Sequence, residues 1–140
     1  MTIAQVFGDR GESYFRQLEH ALTEELRTTE GLVLAPGGGW VTRPENVALL
    51  RPPAILVYLR LTAAAAIRHM GRRISVRPLL QQPDPRAELE RLLAERRGVY
   101  ESSDAVVDAE HLNPQGVTAR IVAAVHGMSR WEPDQKQTDG

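Results

Sequence analysis

Residues 54–59 (AILVYL) are apolar at every position. A strand that faces water on one side alternates apolar and polar residues, so a run like this one must be covered on both faces. The arrangement that covers a strand on both faces is a parallel sheet between helical layers. The rest of the chain supplies the layers. Over 11–29, Phe15, Leu18, Leu22 and Leu26 form one stripe with Glu12, Glu19, Glu24 and Glu25 outside it, which predicts a helix turned inward on those four. The preceding residues 1–10 form a short lead-in, with Ile3 and Phe7 spaced to share a helical turn. Residues 32–35 read as a strand, and Pro44 opens a short helix over 45–50. Thr62 caps a helix that stops at Gly71. Asp84-Pro85 opens another, with Leu89, Leu92 and Leu93 inward. Residues 105–108 are a third strand, and Asn113-Pro114 starts a last helix with Val117, Ile121 and Val125 inward. The alternation predicts an α/β fold with a parallel sheet and helices on both faces.

The chain of 140 residues is one domain's worth, and its formal net charge of −1 makes no electrostatic case for nucleic acid or an acidic membrane. No window approaches a membrane span and no secretory leader is visible, so no membrane partner is expected. Cysteine is absent, which removes disulfides and thiolate metal sites and suits a cytoplasmic enzyme. Sixteen arginines stand against a single lysine, Lys136. Arginine suits a protein that grips anionic oxygens with a planar fork, although a GC-rich genome produces the same bias.

Strand 32–35 ends at Pro36 and opens into Gly37, Gly38 and Gly39. Ligands of open α/β sheets sit beyond the carboxyl ends of the strands, and glycines there leave backbone N–H groups uncovered for a hydroxyl or an anion. A plain flexible turn would look the same. Arg16 and Glu19 are three apart on the first helix, so the glutamate can hold the guanidinium in one rotamer, as would a solvated ion pair. Arg72, Arg73 and Arg77 crowd a loop that breaks the periodicity, read as mobile, where cations could close over phosphates. Arg96 lies near a helix end, where it also suits the helix dipole. His20, His69, His111 and His126 have no ligand-like spacing, and no metal site is expected from them.

Taken in order, GESYFRQLE, APGGGW, ILVYL, VRPLL, ERRGVY, VVD and a closing Asn-Pro helix resemble shikimate kinase, over residues 3–125. The resemblance implies a P-loop kinase with a five-stranded parallel sheet in three layers, moving the γ-phosphoryl of ATP to the 3-hydroxyl of shikimate with Mg2+. By position it implies that Arg16 clamps the shikimate carboxylate and Glu19 orients that arginine. Gly37, Gly38 and Gly39 would meet the ring hydroxyls, Arg96 would be a second shikimate arginine, and the lid (72–84) would bring Arg77 to the ATP phosphates. Arg68 and the turn at Asn113 and Pro114 would flank the adenine.

The chain departs from that pattern in what should come first. It contains no GxxxxGK[ST] and no Asp-x-Asp segment ahead of the first helix, and Lys136 lies in the polar tail at 128–140, expected to be disordered. Pro36 replaces a small polar residue, Trp40 a small one, and the lid is about one residue longer than usual for the family. The expectation is a partial domain over 1–127, truncated at its amino end, lacking the central strand and phosphate loop, and inactive by itself. The alternatives are a non-catalytic shikimate- or partner-binding remnant, or another P-loop metabolite kinase. Loss of a central strand exposes edges that invite self-association, and the chain should either pair 32–35 directly with 54–59 or be poorly folded alone.

Overall fold

A computed structural model describes residues 1–128 of the chain. Five helices and one small sheet follow one another as α1 (Ile3–Leu26), α2 (Pro44–Leu50), β1 (Val57–Arg60), α3 (Ala63–Met70), α4 (Pro85–Glu101), β2 (Ala105–Asp108) and α5 (Pro114–His126). The helix starts follow the capping chemistry of the sequence. The N–H of Ala65 donates to the Thr62 hydroxyl, that of Ala87 to the Asp84 carboxylate and that of Gly116 to the Asn113 amide oxygen. Pro44, Pro85 and Pro114 occupy first-turn positions that need no N–H donor.

β1 and β2 pair in parallel with Val57 opposite Ala105 and Arg60 opposite Asp108. The long crossover between them contains α3 and α4, as a parallel pair requires. Each end of the pair is tied by a carboxylate. At the amino ends Asp104 accepts from the Leu56 N–H (2.8 Å) and pairs with Arg51 (3.0 Å). At the carboxyl ends Glu110 accepts from both the N–H and the hydroxyl of Thr62, each at 2.9 Å. Those two bonds hold the Glu110 carboxyl below the usual glutamate range. Ala63, Ala65, Leu80, Leu92, Val107, Ala109 and Val125 are buried around this pair.

The α/β class with a parallel sheet is as expected, and four local readings are corrected. The lead-in is helical, because Thr2 and Gln5 form a capping box that starts α1 at Ile3. The α1 backbone breaks once, at Gly11 (φ +79°), where glycine takes the left-handed conformation at no steric cost. The supposed loop 72–83 contains two short 3-10 turns, Gly71–Val76 and Pro78–Leu80.

The third correction concerns 32–35, which forms no ladder and so does not pair with β1. Among the described residues the sheet has two strands, and Val33 is 94 % exposed. A strand exists only through partners for its N–H and C=O groups, and apolar character cannot substitute for them. The fourth concerns α1, where Leu18 and Leu22 are exposed while Thr23 is buried. The helix is rotated by about one residue from the reading by hydrophobic stripe.

What sets that rotation is a buried polar chain. The Trp40 indole N–H donates to the Thr23 hydroxyl (2.9 Å), which itself donates to the Glu19 carbonyl (2.7 Å). The Asn46 amide donates to the Trp40 carbonyl (3.0 Å), and its oxygen meets His20 Nδ1 at 2.8 Å. Asn46, at 1 % exposure, therefore ties α2 to α1 and to the 3-10 turn Trp40–Thr42. Asn46→Ala strands the Trp40 carbonyl and the His20 nitrogen, and should destabilise the fold by about 1–3 kcal/mol in denaturant unfolding. A change below about 0.5 kcal/mol would show that the chain of bonds is incidental.

Candidate acceptor-binding site

Three segments meet beside that polar chain. α1 brings Glu12, Arg16 and Glu19 to one face, at spacings of four and three residues. The Arg16 guanidinium donates through Nη1 to Glu19 and through Nη2 to Glu12 (3.2 Å). Glu19 is the more buried of the two carboxylates, so it fixes the rotamer while Glu12 stays exchangeable with solvent. An arginine has five N–H donors, so two held by these carboxylates leave others for a ligand.

Residues 37–39 run directly over this arginine. A Cβ built on Gly39 would lie 2.2 Å from Arg16 Nη2 and 2.5 Å from its Cζ, well inside contact distance. Only glycine lets the backbone approach a guanidinium so closely. A Cβ on Gly37 would lie 3.4 Å from Glu19 Oε1, and one on Gly38 would lie 3.0 Å from the Tyr100 hydroxyl and 3.8 Å from Arg96 Nη1. The glycine segment is thus bracketed by α1 on one side and α4 on the other. Its carbonyls are taken: Gly37 accepts from the Trp40 N–H, Gly38 from the Tyr100 hydroxyl and Gly39 from Thr42. The N–H groups of Gly38 and Gly39 donate to no acceptor among the described residues. Two arginines thus flank a glycine segment with two free amides, and donors of these kinds suit a carboxylate and hydroxyls.

Arg16, Glu19, Gly37, Gly38, Gly39 and Arg96 are therefore brought together as the sequence suggested. Arg77 is not seen with them. It sits between the two 3-10 turns, and its side chain forms no ion pair or hydrogen bond among the described residues. Arg68 is 3.9 Å from Glu110, just after the carboxyl end of β2, and Asn113 caps α5 five residues from that end. Both lie in the segments that leave the carboxyl ends of β1 and β2, where ligands of open α/β sheets are found. No group of three His, Asp or Glu side chains among the described residues is placed to hold a metal ion. Lys136 lies outside the described residues, as does all but the first residue of the expected tail.

Sequence reasoning missed Tyr100, Trp40 and Glu12 as parts of this site. Tyr100 follows Arg96 by four residues on α4, a spacing that could have shown both on one face. Its ring stacks on Tyr58 with centroids 5.0 Å apart. Burial, with Tyr100 alongside, raises the Tyr58 phenol above its usual range. Trp40 looked like a misfit beside three glycines. It is in fact buried, and anchors them to α1.

Comparison with known proteins gives a consistent result. The family model for shikimate kinase matches residues 1–126. A shikimate kinase of Thioalkalivibrio sulfidiphilus is 44% identical over 120 residues, covering 85% of this chain and 63% of its own length. One of Halorhodospira halophila is 40% identical over 129 residues, covering 91% of this chain and 72% of its own length. The chain thus spans about two thirds of the length of these curated relatives. Among solved structures, shikimate kinase from Acinetobacter baumannii in complex with shikimate superposes with a TM-score of 0.77 at 30% identity, over 89% of this chain and 69% of that one. The enzyme from Bacteroides thetaiotaomicron shares the fold, with a TM-score of 0.70 at 22% identity, over 89% of this chain and 73% of that one. No helix among the described residues is long and apolar enough to cross a membrane. With the family model matched over almost all of its length, the chain belongs to the shikimate kinase family.

Proposed function

We propose that the site at Arg16, Gly39 and Arg96 is the acceptor pocket of a cytoplasmic shikimate kinase. Arg16 takes the carboxylate of shikimate, oriented by Glu19, and the amides of Gly38 and Gly39 meet its ring hydroxyls. Arg96 adds a second cation from α4. The observation that carries this reading is the guanidinium of Arg16 packed so close to Gly39 that a side chain there would collide with it. A forked cation beside uncovered amides matches a small acid bearing hydroxyls. The solved Acinetobacter relative, whose backbone this chain follows, was crystallised with shikimate.

The proposed reaction takes the γ-phosphoryl of ATP, with Mg2+, to the 3-hydroxyl of shikimate. Arg77 is assigned to the ATP phosphates, and Arg68, Asn113 and Pro114 to the adenine side. The residues present do not fit the phosphate-and-metal end of that nucleotide. GxxxxGK[ST] does not occur among the 140 residues, and the described ones contain no metal-binding cluster. These 140 residues alone account for acceptor binding through the lobe over 1–127, with 72–84 as lid, and not for transfer.

Calorimetric titration with shikimate should give saturable binding, and Arg16→Ala should weaken it by about 10–100-fold, the worth of a charge-assisted hydrogen-bonded pair. Gly39→Ala should weaken it at least as much, because the new methyl displaces the guanidinium. Absence of binding by the unaltered chain would overturn the reading. In a coupled assay with shikimate, ATP and Mg2+, the 140 residues should release no ADP above background. Turnover would mean that phosphate ligands exist which the sequence pattern does not reveal.

We also propose that the unpaired edge of β1 and the apolar stretch 32–35 drive weak self-association. Sedimentation should show mass rising with concentration, and Val33→Lys should suppress that rise.

A further inference from the structure

Tyr100 takes no part in the proposed grip on the carboxylate, yet it contacts the glycine segment more directly than any other side chain of α4. Its hydroxyl donates to the Gly38 carbonyl at 2.7 Å, and its ring is held against Tyr58 of β1. The ring is therefore fixed by α4 and β1, elements other than the glycine segment on which its hydroxyl acts.

The consequence follows from peptide geometry. The Gly38 carbonyl and the Gly39 N–H belong to one rigid, trans peptide plane and point in opposite directions. A carbonyl drawn toward α4 turns the Gly39 N–H away from α4. On the far side, Thr42 fixes the next peptide by donating its hydroxyl (2.6 Å) and its N–H (3.2 Å) to the Gly39 carbonyl. Two adjacent glycines have the freest backbone of any pair of residues, so without the Tyr100 bond nothing from another element holds the 38–39 plane. Gly39 is buried, and its N–H has no acceptor among the described residues. A buried amide of this kind is costly unless an oxygen arrives to meet it.

We propose that Tyr100 is a positioning residue of the acceptor site, aiming the Gly39 N–H at a ring hydroxyl of the bound acid. The inference rests on the reading of this site as the acceptor pocket. It separates two duties: Arg16 selects the carboxylate, while Tyr100, through the peptide plane, selects the hydroxyls.

Two ligands test it. Cyclohex-1-enecarboxylate has the ring and carboxylate of shikimate without its hydroxyls. Tyr100→Phe keeps the ring stack and loses only the hydrogen bond. In chemical-shift titrations the variant should bind shikimate about tenfold more weakly, the scale of one net hydrogen bond or slightly more. Its affinity for cyclohex-1-enecarboxylate should stay within about twofold, whereas Arg16→Ala should lose both ligands. In the unaltered chain the Gly39 amide resonance should shift with shikimate and stay still with cyclohex-1-enecarboxylate, a readout that needs no variant to fold. Equal weakening of both ligands would make Tyr100 a merely structural residue and overturn the proposal, as would no weakening of either. If the unaltered chain binds the plain acid through Arg16 but shikimate no more tightly, the shikimate reading itself fails and the inference falls with it. Shikimate preferred, with Tyr100→Phe neutral, sinks the inference alone.

Discussion

The hydrogen bond from the Trp40 indole to Thr23 is the contact on which the site depends. It joins the residue immediately after the three glycines to α1, one helical turn beyond Glu19. Thr23 passes the constraint on by donating to the Glu19 carbonyl, and Asn46 locks the Trp40 carbonyl from the other side. Polar groups buried this deeply cost stability unless each finds a partner. Among the described residues no buried side-chain nitrogen or oxygen lacks one. The chain of bonds is satisfied throughout, and so it specifies one rotation of α1. That rotation brings Arg16 under Gly39.

The same rotation explains the exposed apolar surface. Thr23, His20, Glu19 and Arg16 turn inward together, and the neighbouring stripe containing Leu18 and Leu22 turns outward. The stretch 32–35 leaves Leu32, Val33 and Leu34 exposed, and among the described residues β1 keeps one edge unpaired. Each is apolar surface that the described residues cover only in part. The polar chain is short-range and directional, so it forms whether or not these apolar surfaces are covered. Hydrophobic burial is not directional and sets no single rotation by itself.

The two ends of the β1–β2 pair are unlike in character. Asp104 ties the amino ends, next to the turn that follows α4, and Glu110 ties the carboxyl ends to the start of α3. The two 3-10 turns over 71–80 and Arg68 follow Thr62 of that second clamp in the chain. Arg16, Glu19, Arg96 and Tyr100 flank the glycines from two helices that are distant in sequence, and Arg16, Glu19 and Tyr100 are each held by a hydrogen bond or ion pair. Arg77, like Arg96, forms no hydrogen bond or ion pair among the described residues.

The caps and breaks were legible in the residues themselves. Thr62, Asp84-Pro85 and Asn113-Pro114 start helices through local hydrogen bonds that need nothing from the rest of the chain. The Arg16–Glu19 pair was legible for the same reason, being one turn of one helix. The order of motifs made the family readable, and with it the meeting of Arg16, Gly39 and Arg96. Spacing alone could not have brought these residues together, because they lie on three segments far apart in sequence. Only the tertiary structure decided which face of α1 turns inward, since a long-range bond from Trp40 outweighs the hydrophobic stripe. It alone showed that 32–35 forms no strand, because a ladder depends on a neighbour and not on composition. And it alone placed the Tyr100 hydroxyl on Gly38, sixty-two residues away in the chain, where a single hydrogen bond orients a peptide that glycine leaves free.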